Sequence, residues 1–257
     1  MKYHVLVGVP SAGAPMEVAN DHSYLASAHH YVTRMPSCTE GLNFNSLWCH
    51  ALNRGEEGAF THFAITHSDI RVVEDEPGLR WFDRMVEEMD ALNLDFISVP
   101  NAIKDARGLT SSGIGDPNDR WNPFRRWTIN ELGALPKTFT ADMVGYKDKF
   151  LLHNEALCVF DLRKPLWYET DDQGGARCDF NVVEWIHKVN GQWIRDQETE
   201  DWKFSRDLWR MGARTGITSR IELFHFGIVG WSNRTAFGSY ENGDEDTAAK
   251  WRQSQPA

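Results

Sequence analysis

An α/β fold built on a mostly parallel, doubly wound sheet is predicted by three features of the sequence. Strand-like and helix-like stretches alternate through the first half; residues 3–9 and 60–65 are near-continuous apolar runs, as expected of strands covered on both faces; and these runs stop abruptly at Pro/Gly or polar clusters where loops begin. With 257 residues the chain is long enough for one large domain with a smaller second lobe.

In order, residues 3–9 read as a buried first strand closed by Pro10-Ser11-Ala12-Gly13. Residues 20–30 carry a helical pattern, 31–35 a short strand, and 42–53 an amphipathic helix with Leu42, Leu47, Trp48, Ala51 and Leu52 on one side. The stretch 59–71, AFTHFAITHSDIR, buries Phe60, Phe63, Ala64 and Ile65 and meets solvent at His67-Ser68-Asp69. A helix over 77–92 spaces Leu79, Phe82, Met85, Val86 and Met89 at helical intervals, and a strand over 95–99 ends at Pro100.

From 104 to 127 Gly, Ser, Asp, Pro and Asn dominate, with Trp121, Phe124 and Trp127 set among Arg120, Arg125 and Arg126, which reads as a long lid-like loop over 105–127. Strand-like runs follow at 138–144 and 150–162, the second interrupted by His153-Asn154-Glu155. Asp179 suits the N-cap of a helix over 180–189 that ends at Asn190-Gly191, and Trp193-Ile194 makes a brief strand. A helix over 200–211 sets Phe204, Leu208 and Met211 on one side and Trp202 and Trp209 on the other, so burial on both sides is expected, with Gly212 as its stop. A last strand covers 220–226, and the chain after Trp231 turns polar.

A net charge of −10, from 27 basic and 37 acidic residues, disfavours long nonspecific phosphate contact, so nucleic acid is not the default partner. Cys38, Cys49, Cys158 and Cys178 lie far apart with no CxxC pair, which suggests neither a zinc knuckle nor a disulfide framework and fits a reducing, cytoplasmic setting. The opening MKYHVLVGVP is too short in apolar residues for a signal sequence, and no run reaches membrane-spanning length.

Three separated clusters carry chemistry: His67-Ser68-Asp69, Thr199-Glu200-Asp201 and His225. An imidazole and a carboxylate two residues apart on extended backbone can share one divalent ion; the same three residues also suit a plain polar turn. Glu200 and Asp201 favour any helix's first turn, and His225 on an apolar strand is equally a core histidine. In order and spacing the clusters resemble the glycosyltransferases of the GT-A fold, which share an Asp-x-Asp-type metal motif, an x-Glu-Asp motif opening a helix and a C-terminal metal-binding histidine. The text TEDWKFSRDLWRMGAR is similar to family 2 members, and KDARGLTSS to phage-type members. One departure is that His67 stands at the first acidic position of the metal motif, a position that often contacts ribose rather than metal.

The resemblance, over roughly residues 3–230, implies a single GT-A-like, Rossmann-like domain. Residues 1–104 would be the nucleotide-sugar half, 105–230 the acceptor-binding and catalytic half, and 231–257 a polar tail. It implies a metal-dependent hexosyltransferase that takes a sugar from a nucleoside-diphosphate sugar, UDP favoured over GDP, to an acceptor hydroxyl with inversion. Asp69, His225 and His67 would hold Mn²⁺ or Mg²⁺, the imidazoles favouring Mn²⁺. Asp201 would be the base with Glu200 secondary, its ionised form favoured by the helix N-terminus that Thr199 caps. Pro10, Ser11, Glu40 and Ser68 would bound the nucleotide and Lys104 would meet its diphosphate. The acceptor could be a glycan, a small molecule or a modified nucleobase in DNA, the last disfavoured by net charge. The alternatives are a sugar-phosphate nucleotidyltransferase, against which GVPSAGAP offers no basic residue, and a non-catalytic carbohydrate- or protein-binding module.

Overall fold

A computed structural model describes residues 3–11, 30–36, 40–73, 80–104, 107–227 and 230–234, with side chains described for all of these except 11, 30–36, 40 and 41. Strand β1 (Val5–Ser11) pairs in parallel with β2 (His30–Pro36) on one side; helix α1 (Glu40–Glu56) then leads to β3 (His62–Thr66), parallel to β1 on its other side. Strand β4 (Ile70–Val73) leaves the sheet after the turn at 67–69, and helix α2 (Trp81–Leu92) returns the chain to β5 (Phe96–Ser98). Then come β6 (Leu109–Asp116), β7 (Asp119–Thr128), a short helix α3 (Ile129–Ala134), β8 (Thr138–Phe139), β9 (Phe150–Leu152) and β10 (Leu157–Asp161). The last third holds β11 (Val183–Val189), β12 (Gln192–Glu198), helix α4 (Glu200–Arg210), β13 (Thr215–Thr218), β14 (Glu222–Phe226) and β15 (Gly230–Ser232).

The central seven-stranded sheet has the order β2-β1-β3-β10-β5-β13-β8. Five strands run one way; β10, inserted between β3 and β5, and the edge strand β8 run the other. Alternation along the strands builds a core on each face. Val5, Val7, Ala64, Ile97 and Val159 meet Trp81, Phe82, Met85, Val86 and Met89 of α2. Leu6, Phe63, Ile65, Phe96, Cys158 and Phe160 meet Phe44, Leu47, Trp48 and Ala51 of α1 and Phe204 and Leu208 of α4. Both sets are essentially fully buried, which is why the strands read as unbroken apolar runs: this is a mixed α/β, Rossmann-like sheet with helices on both faces. Three small antiparallel sheets, β15-β14-β4, β7-β6-β9 and the two-stranded β11-β12, complete the described fold.

Several expectations are corrected. The lid-like loop over 105–127 is, from 109 on, the hairpin β6–β7. Its glycines answer to packing: a Cβ on Gly113 would lie 2.2 Å from the carbonyl oxygen of Arg125, and one on Gly115 would strike the Phe150 ring at 2.3 Å. The expected helix over 180–189 is instead the first strand of the hairpin β11–β12. Asn190 (φ 50°) and Gly191 (φ 83°) form its two-residue turn, with two successive positive φ angles of the kind that match strand twist; they do not end a helix. Asp179 caps nothing and pairs with Lys203 of α4. Helix α4 is not buried on both sides, because Trp209 is 41 % exposed and lies over Phe150. The run 138–144 is a two-residue strand followed by a single 3₁₀ turn over Asp142–Val144, and β4, β13 and β15 had no counterpart in the sequence reading. The expected helix over 20–30, apart from His30, which opens β2, the start of the helix over 77–92, and the tail from 235 lie outside the described residues. Among the described residues Cys49, Cys158 and Cys178 are free thiols, and no helix is long and apolar enough to cross a membrane.

Candidate functional site

Strands β1, β3 and β5 share a direction, so their carboxyl ends meet at one edge of the sheet, where open α/β sheets bind ligands. Antiparallel β10 begins at that same edge. The amide of His67 donates to the Ala156 carbonyl (2.8 Å) and that of Val99 to the Leu157 carbonyl (2.9 Å), which locks the turns after β3 and β5 to the start of β10. Pro10 and Ser68 are buried at this edge, with Ser11 closing β1; the side chains of Ser11 and Glu40 lie outside the described set.

Asp69 is the centre of a charged cluster. Lys104 donates from Nζ to its Oδ2 at 2.6 Å, Nε2 of His225 stands 3.4 Å from the same oxygen, and Nδ1 of His67 stands 3.9 Å from Oδ1. The backbone enforces this meeting. His225 faces Ile70 across the β14–β4 ladder, and the Phe226 amide donates to the Asp69 carbonyl at 2.8 Å. Asn233 ties β14 to the loop after β5, accepting from the Leu223 amide and donating to the Pro100 carbonyl. Nδ1 of His225 lies 3.0 Å from the Ala102 carbonyl, a contact that requires the proton on Nδ1 and leaves Nε2 turned toward Asp69. Burial pushes the His67 imidazole down to about 4, so it is neutral near pH 7, a tendency the Asp69 charge opposes. Burial would raise the Asp69 carboxyl; the hydrogen bond with His225, the charge of His67 and the Lys104 ammonium overcome it and hold the group well below the usual carboxylate range. Since His67 is uncharged at neutral pH, the Lys104 ammonium carries that effect there.

The second group sits on α4. Thr199 occupies the N-cap position, but its hydroxyl donates to the Asp201 carboxylate and makes no capping bond. Asp201 is enclosed on most sides with part of its surface open, and its pKa is pushed up to about 6. Burial is the main cause and the Glu200 charge adds to it, while the Thr199 hydroxyl, Arg126 and the Trp202 amide pull the other way. The expectation that the helix N-terminus lowers this pKa is therefore corrected: desolvation outweighs the dipole. Ser205 joins this group to the sheet edge, its hydroxyl donating to the Asp201 carbonyl (2.6 Å) and accepting from the His153 amide (2.9 Å), while His153 Nδ1 meets the Ser98 hydroxyl at 2.9 Å. Ser98 ends β5, three residues before the Asn101 that borders His225.

Two imidazoles and a carboxylate are donors suited to a divalent ion such as Mn²⁺. As they stand, however, no three His, Cys, Asp or Glu side chains among the described residues converge to hold one, and the Lys104 ammonium covers the Asp69 oxygen an ion would take. The donor types suit such an ion, but as placed they do not form its site, and Lys104 would also have to leave Asp69.

Sequence reasoning missed the supports of this site. Glu198, fully buried, accepts from Arg206 (2.6 Å) and, at its other oxygen, twice from Arg120 (2.9 and 2.7 Å). Arg206 further donates to the carbonyls of Asp116 and Asp119, fastening α4 and β12 to the β6–β7 turn. An arginine at helical spacing from Trp202 and Trp209, on the second apolar side of the helix, was the available signal. Asn101 gave none, being a single polar residue after Pro100, and His153 stood out only as part of the polar interruption His153-Asn154-Glu155 in a strand-like run.

No family model matches the sequence, and no curated protein matches it. Among solved structures the chain is similar to the crystal structure of A197 from STIV, at 12 % identity and a TM-score of 0.50, over 92 % of this chain and 94 % of that one, which is a likeness of fold. Weaker likenesses are to a UDP-glucose pyrophosphorylase complexed with UDP-glucose (9 % identity, TM-score 0.39, 97 % of this chain and 99 % of that one) and to the CMP:2-keto-3-deoxy-manno-octonic acid synthetase complexed with CTP (12 %, 0.35, 97 % and 99 %).

Proposed function

We propose that this chain is a nucleotide-sugar-dependent glycosyltransferase, moving a sugar from a nucleoside-diphosphate sugar, UDP favoured, to an acceptor hydroxyl with inversion. The observation that carries the reading is the mounting of two unlike carboxylates on one sheet edge: Asp69, held ionised among cationic and imidazole groups, and Asp201, semi-enclosed and raised to about 6. Sugar transfer asks for such a division, one group to organise charge at the leaving diphosphate and another to take a proton from the acceptor. Asp69, with His225 and His67, would hold Mn²⁺ or Mg²⁺, and the ion would neutralise charge on the departing nucleotide. Lys104, released from Asp69, would meet the diphosphate. Asp201, ionised at neutral pH yet more basic than an ordinary aspartate, would take the acceptor proton, and Glu200 would back it through its charge. Pro10, Ser11, Glu40 and Ser68 are proposed to bound the nucleotide.

Nucleotidyl transfer is kept as a second reading because of Lys104: a lysine beside the metal-type carboxylate suits a triphosphate donor, and a sugar-phosphate acceptor arrives already ionised and needs no Asp201 base. Purified protein is to be incubated with Mn²⁺ and either UDP-sugars with candidate acceptors or nucleoside triphosphates with sugar 1-phosphates. Release of UDP with a glycosylated product supports the first reading; release of pyrophosphate establishes the second in its place.

A further inference from the structure

We propose that the face of hairpin β11–β12 carrying Trp185, His187 and Asp196, together with Trp121 of β7, is a binding platform for a neutral oligosaccharide. Four flat groups are set in a stepped row. The Arg120 guanidinium lies over the Trp121 ring (4.9 Å to the centroid), Trp121 runs nearly parallel to Trp185 (6.1 Å, 20°), and Trp185 to His187 (4.0 Å, 16°). If the indole planes are about 3.5 Å apart, a 6.1 Å centroid separation means a sideways offset of about 5 Å, so part of each indole face stays open. Trp185 is 51 % exposed. The uncovered parts of the Trp121 and Trp185 faces accept the C–H faces of pyranose rings, and hydroxyls at the ring margins then need polar partners. They are in place: Asp196 is the direct cross-strand partner of Trp185, and its carboxylate lies 2.7 Å from His187 Nε2.

Charge selects among ligands. A phosphate backbone needs cations free to pair with it, and on this face Arg120 is taken up by Glu198, while His187 faces Asp196. Matched charges beside open indoles favour a polyhydroxyl ligand without charge. Trp193 and Ile186, the most exposed apolar residues of the hairpin at 72 % and 66 %, alternate onto its opposite face and do not belong to the platform. Asp196 is five residues before Asp201, at most about 18 Å of extended chain, so an oligosaccharide on the platform could extend toward that carboxylate. Binding does not depend on the proposed transfer; the identification of the oligosaccharide as the acceptor rests on it.

The test titrates the full chain with cellohexaose, maltohexaose, mannohexaose and chitohexaose, following tryptophan fluorescence and calorimetry, with a single-stranded oligonucleotide as the charged comparison. At least one hexasaccharide is expected to bind, about tenfold more weakly to Trp185→Ala and nearly unchanged to Trp185→Phe and Trp193→Ala. Binding of none of the four, binding that persists in Trp185→Ala, loss in Trp193→Ala equal to that in Trp185→Ala, or a preference for the oligonucleotide overturns the proposal. UDP titrations with Mn²⁺ on the same samples keep the two readings apart: hexasaccharide binding without UDP binding leaves the platform standing and removes the transfer, and the converse removes the platform alone.

Discussion

At Asp201 the energetics of one carboxyl couple stability to catalysis. Its folded pKa of about 6 lies above the unfolded value, so the stabilisation it gives is full only below about pH 4 and is lost as pH rises through about 6. At neutral pH the ionised group is a cost, at most about 3 kcal/mol before allowance for its partial exposure. Asp201→Asn is therefore expected to raise the melting temperature at pH 7.5 while lowering transfer by about 10²- to 10⁴-fold, with nucleotide affinity near wild type; Glu200→Gln should be milder. The wild-type rate should climb with pH through about 6, and a flat profile between pH 5 and 8 would remove Asp201 as the base. At Asp69 the expectation is different. Asp69→Asn should abolish Mn²⁺-dependent UDP binding, measured by calorimetry, with the circular dichroism spectrum unchanged. The order of these residues along the chain was legible because each follows a strand end or opens a helix. The pairing of Lys104 with Asp69 was not, since thirty-five residues separate them and only the return of β5 beside β3, through β10, brings them together.

Elements differed in how plainly their sequences declared them. The strands 5–9 and 62–66 were readable because both faces are covered, and α2 because one face is. The hairpins β6–β7 and β11–β12 were not, because their residues are chosen for close contact and for a turn: Gly113, Gly115 and Asn190-Gly191 look like loop text until the neighbouring strand is known. These hairpins depend on the Arg120–Glu198–Arg206 triad. Glu198→Gln keeps its volume and removes its charge, leaving two guanidinium groups without their shared acceptor; a loss of about 3–5 kcal/mol is expected in urea unfolding. A loss under about 1 kcal/mol would show that the triad does not hold hairpin to helix.

Over the whole molecule, acid sensitivity should come from buried imidazoles. Burial lowers His62 to about 4 and His153 to about 3, despite the attraction of Asp161 for a proton on His62. Folded pKa values below the unfolded 6.5 mean that the unfolded chain takes up protons first. Stability is therefore full above about pH 6.5 and falls as pH drops toward 4 and then 3. Asp201 works in the opposite direction between about pH 6 and pH 4, so it offsets part of the decline there. Thermal melts from pH 8 to pH 4 check this, and a His153→Asn variant should flatten the acid limb.

The lysine resting on Asp69 makes ligand capture an exchange rather than an addition. The protein holds a tethered monovalent counter-ion where the proposed divalent one would go, so an arriving ion must evict an ammonium that is then left in need of an anion. A diphosphate supplies that anion. Ion and nucleotide should thus assist each other's binding by equal factors, as thermodynamic linkage demands, and each alone should bind poorly. In Lys104→Ala the ion alone should bind more tightly and this mutual assistance should shrink.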